Sequence, residues 1–228
     1  MSRRRHPWLY RIAWLRRNRC SVLLAWLCLL ILANPLLSTT RLGAKSVAIG
    51  LLIVLLIAVW SLRVPRARLL AAAALTVASA AAILLSPGEQ HWLRPVAVAT
   101  VAALVGAVTV AVLRYVLDWH LITVDKVFGS VAAYMLIALT FASLFTLLQL
   151  VQPNAFYFSQ VNNPDGKMSW ADAMYFSFTV LTSTGFGEIT PVTDMARSLI
   201  IIEQVLGVMY VAFLVARLAN LYGLAPRR

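Results

Sequence analysis

The most specific chemistry in the chain is carried by eight residues, Leu181-Thr182-Ser183-Thr184-Gly185-Phe186-Gly187-Glu188. Three consecutive hydroxyl residues, then two glycines one aromatic apart, contain no nucleophile–base pair. What the run offers is backbone. Gly185 and Gly187 can take dihedrals closed to other residues, so alternate carbonyl oxygens can turn toward one axis. The rest of the chain offers no competing chemistry. His6, His91 and His120 are scattered and form no ligand cluster. Neither G-x-S-x-G nor H-E-x-x-H occurs, and the paired intramembrane carboxylates of a proton-coupled carrier are missing. The sequence reads as that of a non-enzyme, with no cofactor expected.

Such a strand needs elements to hold it. Ser169 is a good N-cap, and Asp172 three residues later completes a capping box, so a helix should run over 169–181. The apolar part, Trp170 to Leu181, would reach only about 18 Å at 1.5 Å per residue, too short to cross a bilayer. Apolar stretches long enough to cross flank it at 127–151 and 195–222. Non-helical backbone at membrane depth is tolerated only where protein buries it or where it lines a water-filled path. A span, a half-crossing helix, a strand of hydroxyls and glycines and a second span form a pore loop.

Composition agrees with that setting. Of 228 residues 61% are apolar and 12% charged, with a mean hydropathy of +0.83. Soluble domains carry roughly a quarter charged residues, so membrane is the natural solvent. Further spans are expected at 20–37, 46–62, 69–86 and 95–117, which makes six. Twenty Lys and Arg stand against eight Asp and Glu, a formal charge of +12. Ten of the arginines lie in residues 1–19 and 63–68. Basic residues collect on the cytoplasmic side of spans, so the surplus reads as topology with both termini cytoplasmic, and not as nucleic-acid binding. Residues 1–19 place Trp8, Leu9, Ile12 and Leu15 on one helical face. They read either as an amphipathic helix on anionic lipid or as a plain topogenic cluster. The first span is expected to remain uncleaved. Alanine-rich spans three and four look like close-packing elements. Cys20 and Cys28 read as buried thiols.

Residues 127–222 resemble the pore domain of tetrameric potassium channels. Leu181–Glu188 lines up with the family's L-T-T-V-G-Y-G-D without a gap, and Ile189-Thr190-Pro191 and Ala196-Arg197-Ser198 are similar to bacterial members. The resemblance implies an all-α integral membrane protein assembled as a homotetramer. It has a cytoplasmic basic segment 1–19, a four-helix domain 20–117 and a linker 118–126. A pore domain 127–222 follows, divided into outer helix 127–151, pore helix 169–181, filter 182–188 and inner helix 195–222, with a tail 223–228. It further implies K⁺ bound by the carbonyls of Ser183, Thr184, Gly185 and Phe186, with Gly187 completing the filter and K⁺ as the permeant species. Filter support falls to Tyr175, Phe176, Thr179, Thr182 and Glu188.

The departures from that pattern carry their own expectations. Ser183 stands for threonine, and its hydroxyl can still ligate an ion. Thr184 stands for valine and needs a hydroxyl partner, for which Thr179 or Ser177 is available. Phe186 stands for tyrosine and should meet Phe176 in an apolar cuff. Glu188, longer than aspartate, should reach Tyr175. These changes leave a weakly selective or non-selective cation channel, or a non-conducting scaffold, as alternatives to a K⁺-selective conduit.

Gating candidates lie in the last span. Glu203 is an acid in an apolar run and should face protein or water. It reads as a carboxylate bonded to the back of the pore helix or as a pH-sensitive gate. Gly207 is a hinge or a tight-packing site, and Phe213 is a candidate constriction. The fourth span carries only Arg114, near its cytoplasmic end, where a voltage sensor needs several arginines at every third position. Little or no voltage gating is expected. Arginine and alanine richness points to a bacterial inner membrane, with lipids, anionic ones included, as partners.

Overall fold

A computed structural model describes residues 19–38, 93–118, 123–161 and 163–223. The expected spans at 46–62 and 69–86, nearly all of the basic segment 1–19 and most of the tail lie outside the described residues. Five helices and two short strands follow in order: α1 (Arg19–Ser38), α2 (Leu93–Leu117), α3 (Val124–Val151), β1 (Phe156–Phe158), α4 (Trp170–Leu181), β2 (Ile189–Pro191) and α5 (Asp194–Gly223). Three stretches among the described residues are long and apolar enough to cross a membrane: Arg94–Leu117, Val124–Val151 and Asp194–Arg217.

Local chemistry sets the helix ends. Thr123 precedes α3, and the Lys126 amide donates to its carbonyl at 2.9 Å and to its Oγ1 at 3.3 Å, the hydroxyl adding to the cap. Pro153, two residues past the last turn, bars the helix from continuing. Thr193 starts α5 in the same way, accepting from the Ala196 amide, and Asp194 adds a negative charge at the positive helix end. At α4 the capping box is complete. Ser169 Oγ accepts from the Asp172 amide while the Asp172 carboxylate accepts from the Ser169 amide.

The chain divides into two compact units, residues 1–87 with 103–136, and 88–102 with 137–228. In the first, the buried carboxylate of Asp125 takes the Cys20 amide at 2.9 Å, the Ser21 amide at 3.4 Å and the Tyr115 hydroxyl at 3.3 Å. One acid at the start of α3 therefore caps α1 and fastens the end of α2. Lys126 donates to the Asp118 carbonyl at 3.1 Å and lies 5.7 Å from the centre of the Tyr115 ring. A Cβ on Gly129 would stand 3.0 Å from both Cys20 Sγ and Val116 Cγ2, so α3 approaches both neighbours there through a small residue. Cys20 is buried as expected, whereas Cys28, about 80° further round α1, is exposed.

The second unit is organised by aromatics. Phe145 of α3, Phe156 of β1 and Phe176 of α4 meet pairwise with ring centres 5.2 to 5.6 Å apart. All three are buried, and tilted or edge-on rings at such distances attract beyond their area burial. The strands pair antiparallel, with Phe156 opposite Pro191, Tyr157 opposite Thr190 and Phe158 opposite Ile189. This ribbon was not visible in the sequence.

Candidate functional site

The candidate strand begins where α4 stops, and the last helical carbonyl groups shape it. Thr182 N–H donates to Phe178 O at 3.1 Å and Ser183 N–H to Val180 O at 2.9 Å. Thr179 O then receives two amides, from Thr184 at 2.8 Å and Gly185 at 3.2 Å. The chain thus folds back over its own helix end and satisfies carbonyls that a helix terminus leaves open.

Beyond that turn the backbone alternates. Ser183 has φ 56°, Gly185 φ 53° and Gly187 φ 83°, so every second residue is left-handed. A Cβ at Gly185 or Gly187 would meet nothing within 4 Å. Conformation, not crowding, requires glycine at both positions. Ser183 has no such freedom and adopts a region disfavoured for side chains larger than hydrogen. Residues 182–187 are all exposed. No hydrogen bond among the described residues ends on the carbonyls of Ser183, Thr184, Gly185, Phe186 or Gly187. The next carbonyl, that of Glu188, accepts from the Ser159 amide at 2.9 Å. Five consecutive acceptors therefore lack a partner among the described residues, bounded by one that has a partner.

The side chains around the strand fall into place with two corrections. Thr184 finds its hydroxyl partner in Thr182, at 2.9 Å, and not in Thr179 or Ser177. Thr179 Oγ1 is engaged with Phe176 O and Ser177 Oγ points to the back of α4. Since Thr182 Oγ1 already donates to Phe178 O at 2.7 Å, Thr184 is the donor of the pair. Phe186 does not meet Phe176, which is committed to the cluster with Phe145 and Phe156. Its ring stacks on Tyr175 instead, 6.3 Å centre to centre and 4° from parallel. Tyr175 does reach Glu188. Its phenol is raised above the ordinary tyrosine value by burial, then by the hydrogen bond to Glu188 and by that residue's charge.

Of the gating candidates, Glu203 lies fully buried behind α4, hydrogen-bonded through Oε1 to Ser177. Gly207 packs against Leu181, where a Cβ would fall 3.0 Å from the carbonyl carbon and closer still to the carbonyl oxygen. Tight packing explains this glycine. Phe213 lies exposed on α5, away from both contacts. Sequence reasoning missed Phe145, Phe156 and the Ser159–Glu188 bond. A doublet of aromatics at 156 and 158 flanking Tyr157 was the available signal for an alternating strand.

A short capped helix, a strand whose carbonyls lack partners among the described residues and a long helix thus follow one another in the chain. Comparison with known proteins bears on this segment. Residues 131–223 match a family described as "Ion channel". A 37-residue stretch is 49% identical to the potassium channel protein kcv of Paramecium bursaria Chlorella virus 1, covering 16% of this chain and 39% of the viral protein. The family match covers less than half of the chain, and the chain spans about two fifths of the viral relative's length. No solved structure matches it.

Proposed function

We propose that four copies of this chain surround one axis and conduct K⁺ passively across a membrane. Each copy lends the carbonyls of Ser183, Thr184, Gly185, Phe186 and Gly187 as a selectivity filter. The observation that carries this reading is the run of five carbonyls without a partner among the described residues, on a backbone left-handed at every second residue. Exposed carbonyls of this kind are free to take a ligand, and a ring of four such strands would supply a dehydrated cation with the oxygens it gave up. The partly negative C-terminal end of α4, immediately before Thr182, favours a cation there. The printed name of the viral relative supports potassium as that cation.

Assembly accounts for α5. Ile201, Ile202, Val205, Met209 and Val215 are at least half exposed on the single chain, a surface that neighbouring copies and lipid would cover. Both termini are assigned to the cytoplasm, and the membrane to a bacterial inner membrane with anionic lipid beneath the basic N-terminus. Arg114 in the last turn of α2 supports weak or no voltage gating. Uptake of K⁺ and of Na⁺ by liposomes holding the purified chain tests the reading. Selective K⁺ uptake supports it, equal uptake of both ions marks a non-selective pore, and no uptake marks a scaffold.

A further inference from the structure

Behind the strand, a hydrogen-bond chain joins three helices. Ser177 Oγ of α4 lies 2.7 Å from the carbonyl oxygen of Ala138 on α3 and is also hydrogen-bonded to Glu203 Oε1 of α5. A serine hydroxyl has one proton and can donate only once. If it is spent on Ala138, whose carbonyl can only accept, the proton between Ser177 and Glu203 must come from the acid.

The alternative is an ionised Glu203, and its surroundings argue against that form. The side chain is fully buried, and Oε2 has no hydrogen-bond partner among the described residues. No cation faces it. Asp172 and Tyr175, on α4, are engaged with Ser169 and Glu188, and Ala138 presents only its backbone. On α5 the nearest charges, Asp194 and Arg197, pair with one another at least six residues away. An unpaired buried carboxylate is the least favourable occupant of such a site, while a neutral acid leaves only a carbonyl oxygen unmatched.

One turn further on, the same two helices touch again. Gly207 lies four residues after Glu203, and the carbonyl it packs against, Leu181, lies four residues after Ser177. Positions four apart share one helix face, so the two contacts form a single seam. Leu181 is the last residue of α4, and Thr182 begins the carbonyl strand.

We propose that Glu203, as a neutral proton donor to Ser177, and Gly207, as the seat for the Leu181 carbonyl, are positioning residues that fix the height of the last turn of α4. They thereby set how well the strand discriminates K⁺ from Na⁺. The proposal rests on the channel reading above. An amide at position 203 can donate to Ser177 as the acid does, whereas a methyl group cannot.

The test uses the full chain in liposomes, with Glu203→Gln, Glu203→Ala and Gly207→Ala, each checked for assembly by size-exclusion chromatography. The expected ratio of K⁺ to Na⁺ uptake stays within about twofold of the parent for Glu203→Gln and falls about tenfold or more for Glu203→Ala. Gly207→Ala should lower it similarly while assembly persists. Infrared spectra near neutral pH should show a protonated-carboxyl band in the parent that Glu203→Gln abolishes. Loss of selectivity in Glu203→Gln equal to that in Glu203→Ala overturns the proposal. So does an unchanged ratio in Gly207→Ala, or a missing band. Were the parent chain to carry no K⁺ at all, the channel reading would fail, and the band would still decide whether Glu203 is the donor.

Discussion

Two stretches that adjoin in sequence are opposite in character. From Ala173 to Leu181 the chain is mostly buried, and the hydroxyls of Ser177 and Thr179 both have partners within the chain. From Thr182 to Gly187 every residue is exposed, and five carbonyls have no partner among the described residues. A single chain thus completes the helix and leaves the strand open, the strand being the working surface under the proposed function. The support is judged by stability, and the strand by flux.

The sharpest way to break that division is Gly185→Asp. An L side chain at φ 53° is strained, and a carboxylate would enter the path of the carbonyls. We expect K⁺ uptake to fall to background while the protein still assembles, as read by liposome flux and size-exclusion chromatography. Uptake near the parent level would mean that this strand is not the conduit. On the supporting side, Phe145→Ala removes a fully buried ring from the aromatic cluster. A loss of about 3–5 kcal/mol is expected, seen as a lowered midpoint of thermal unfolding in detergent. Ser169→Ala strips one half of the capping box and should lower stability by about 1 kcal/mol. That smaller shift in the same assay, with K⁺ selectivity kept, would show that the start of α4 matters less than its end. Smallest of all, Arg114→Gln should leave the conductance–voltage relation where it was. A single charge moved across the field is worth about 2.3 kcal/mol per 100 mV, and a steep curve that this change abolishes would contradict the assignment.

Local features were the legible ones. The Ser169-x-x-Asp172 box, the apolar length of α2, α3 and α5, and the Gly-Phe-Gly spacing each act within a few residues, so the sequence displays them directly. Glu203 as a carboxylate bonded to the back of α4 could also be read, since a buried acid must find a partner. Its choice of Ser177 could not, being fixed by which turns of α4 and α5 meet. Partners separated by long stretches stayed hidden. Asp125 reaches Cys20 across 105 positions, and no periodicity marks that pairing. Phe186 misled for a related reason. Position along α4 does not reveal which face a ring stacks on, and Tyr175 and Phe176 are adjacent residues pointing in different directions.

The β1–β2 ribbon has a consequence for the order in which the domain forms. The Ser159–Glu188 bond closes a loop that contains the whole of α4. Closing a loop of about 30 residues opposes folding by roughly 3 kcal/mol, more than two three-residue strands can offset alone, since even a complete hairpin is marginal in water. The ribbon can therefore zip only after the aromatic cluster has seated α4. Formation from the bottom up leaves the outer end of the strand as the last part to close and the first to open. In amide hydrogen exchange the Ser159 proton should be replaced well before those of the α4 core at Val180 and Leu181.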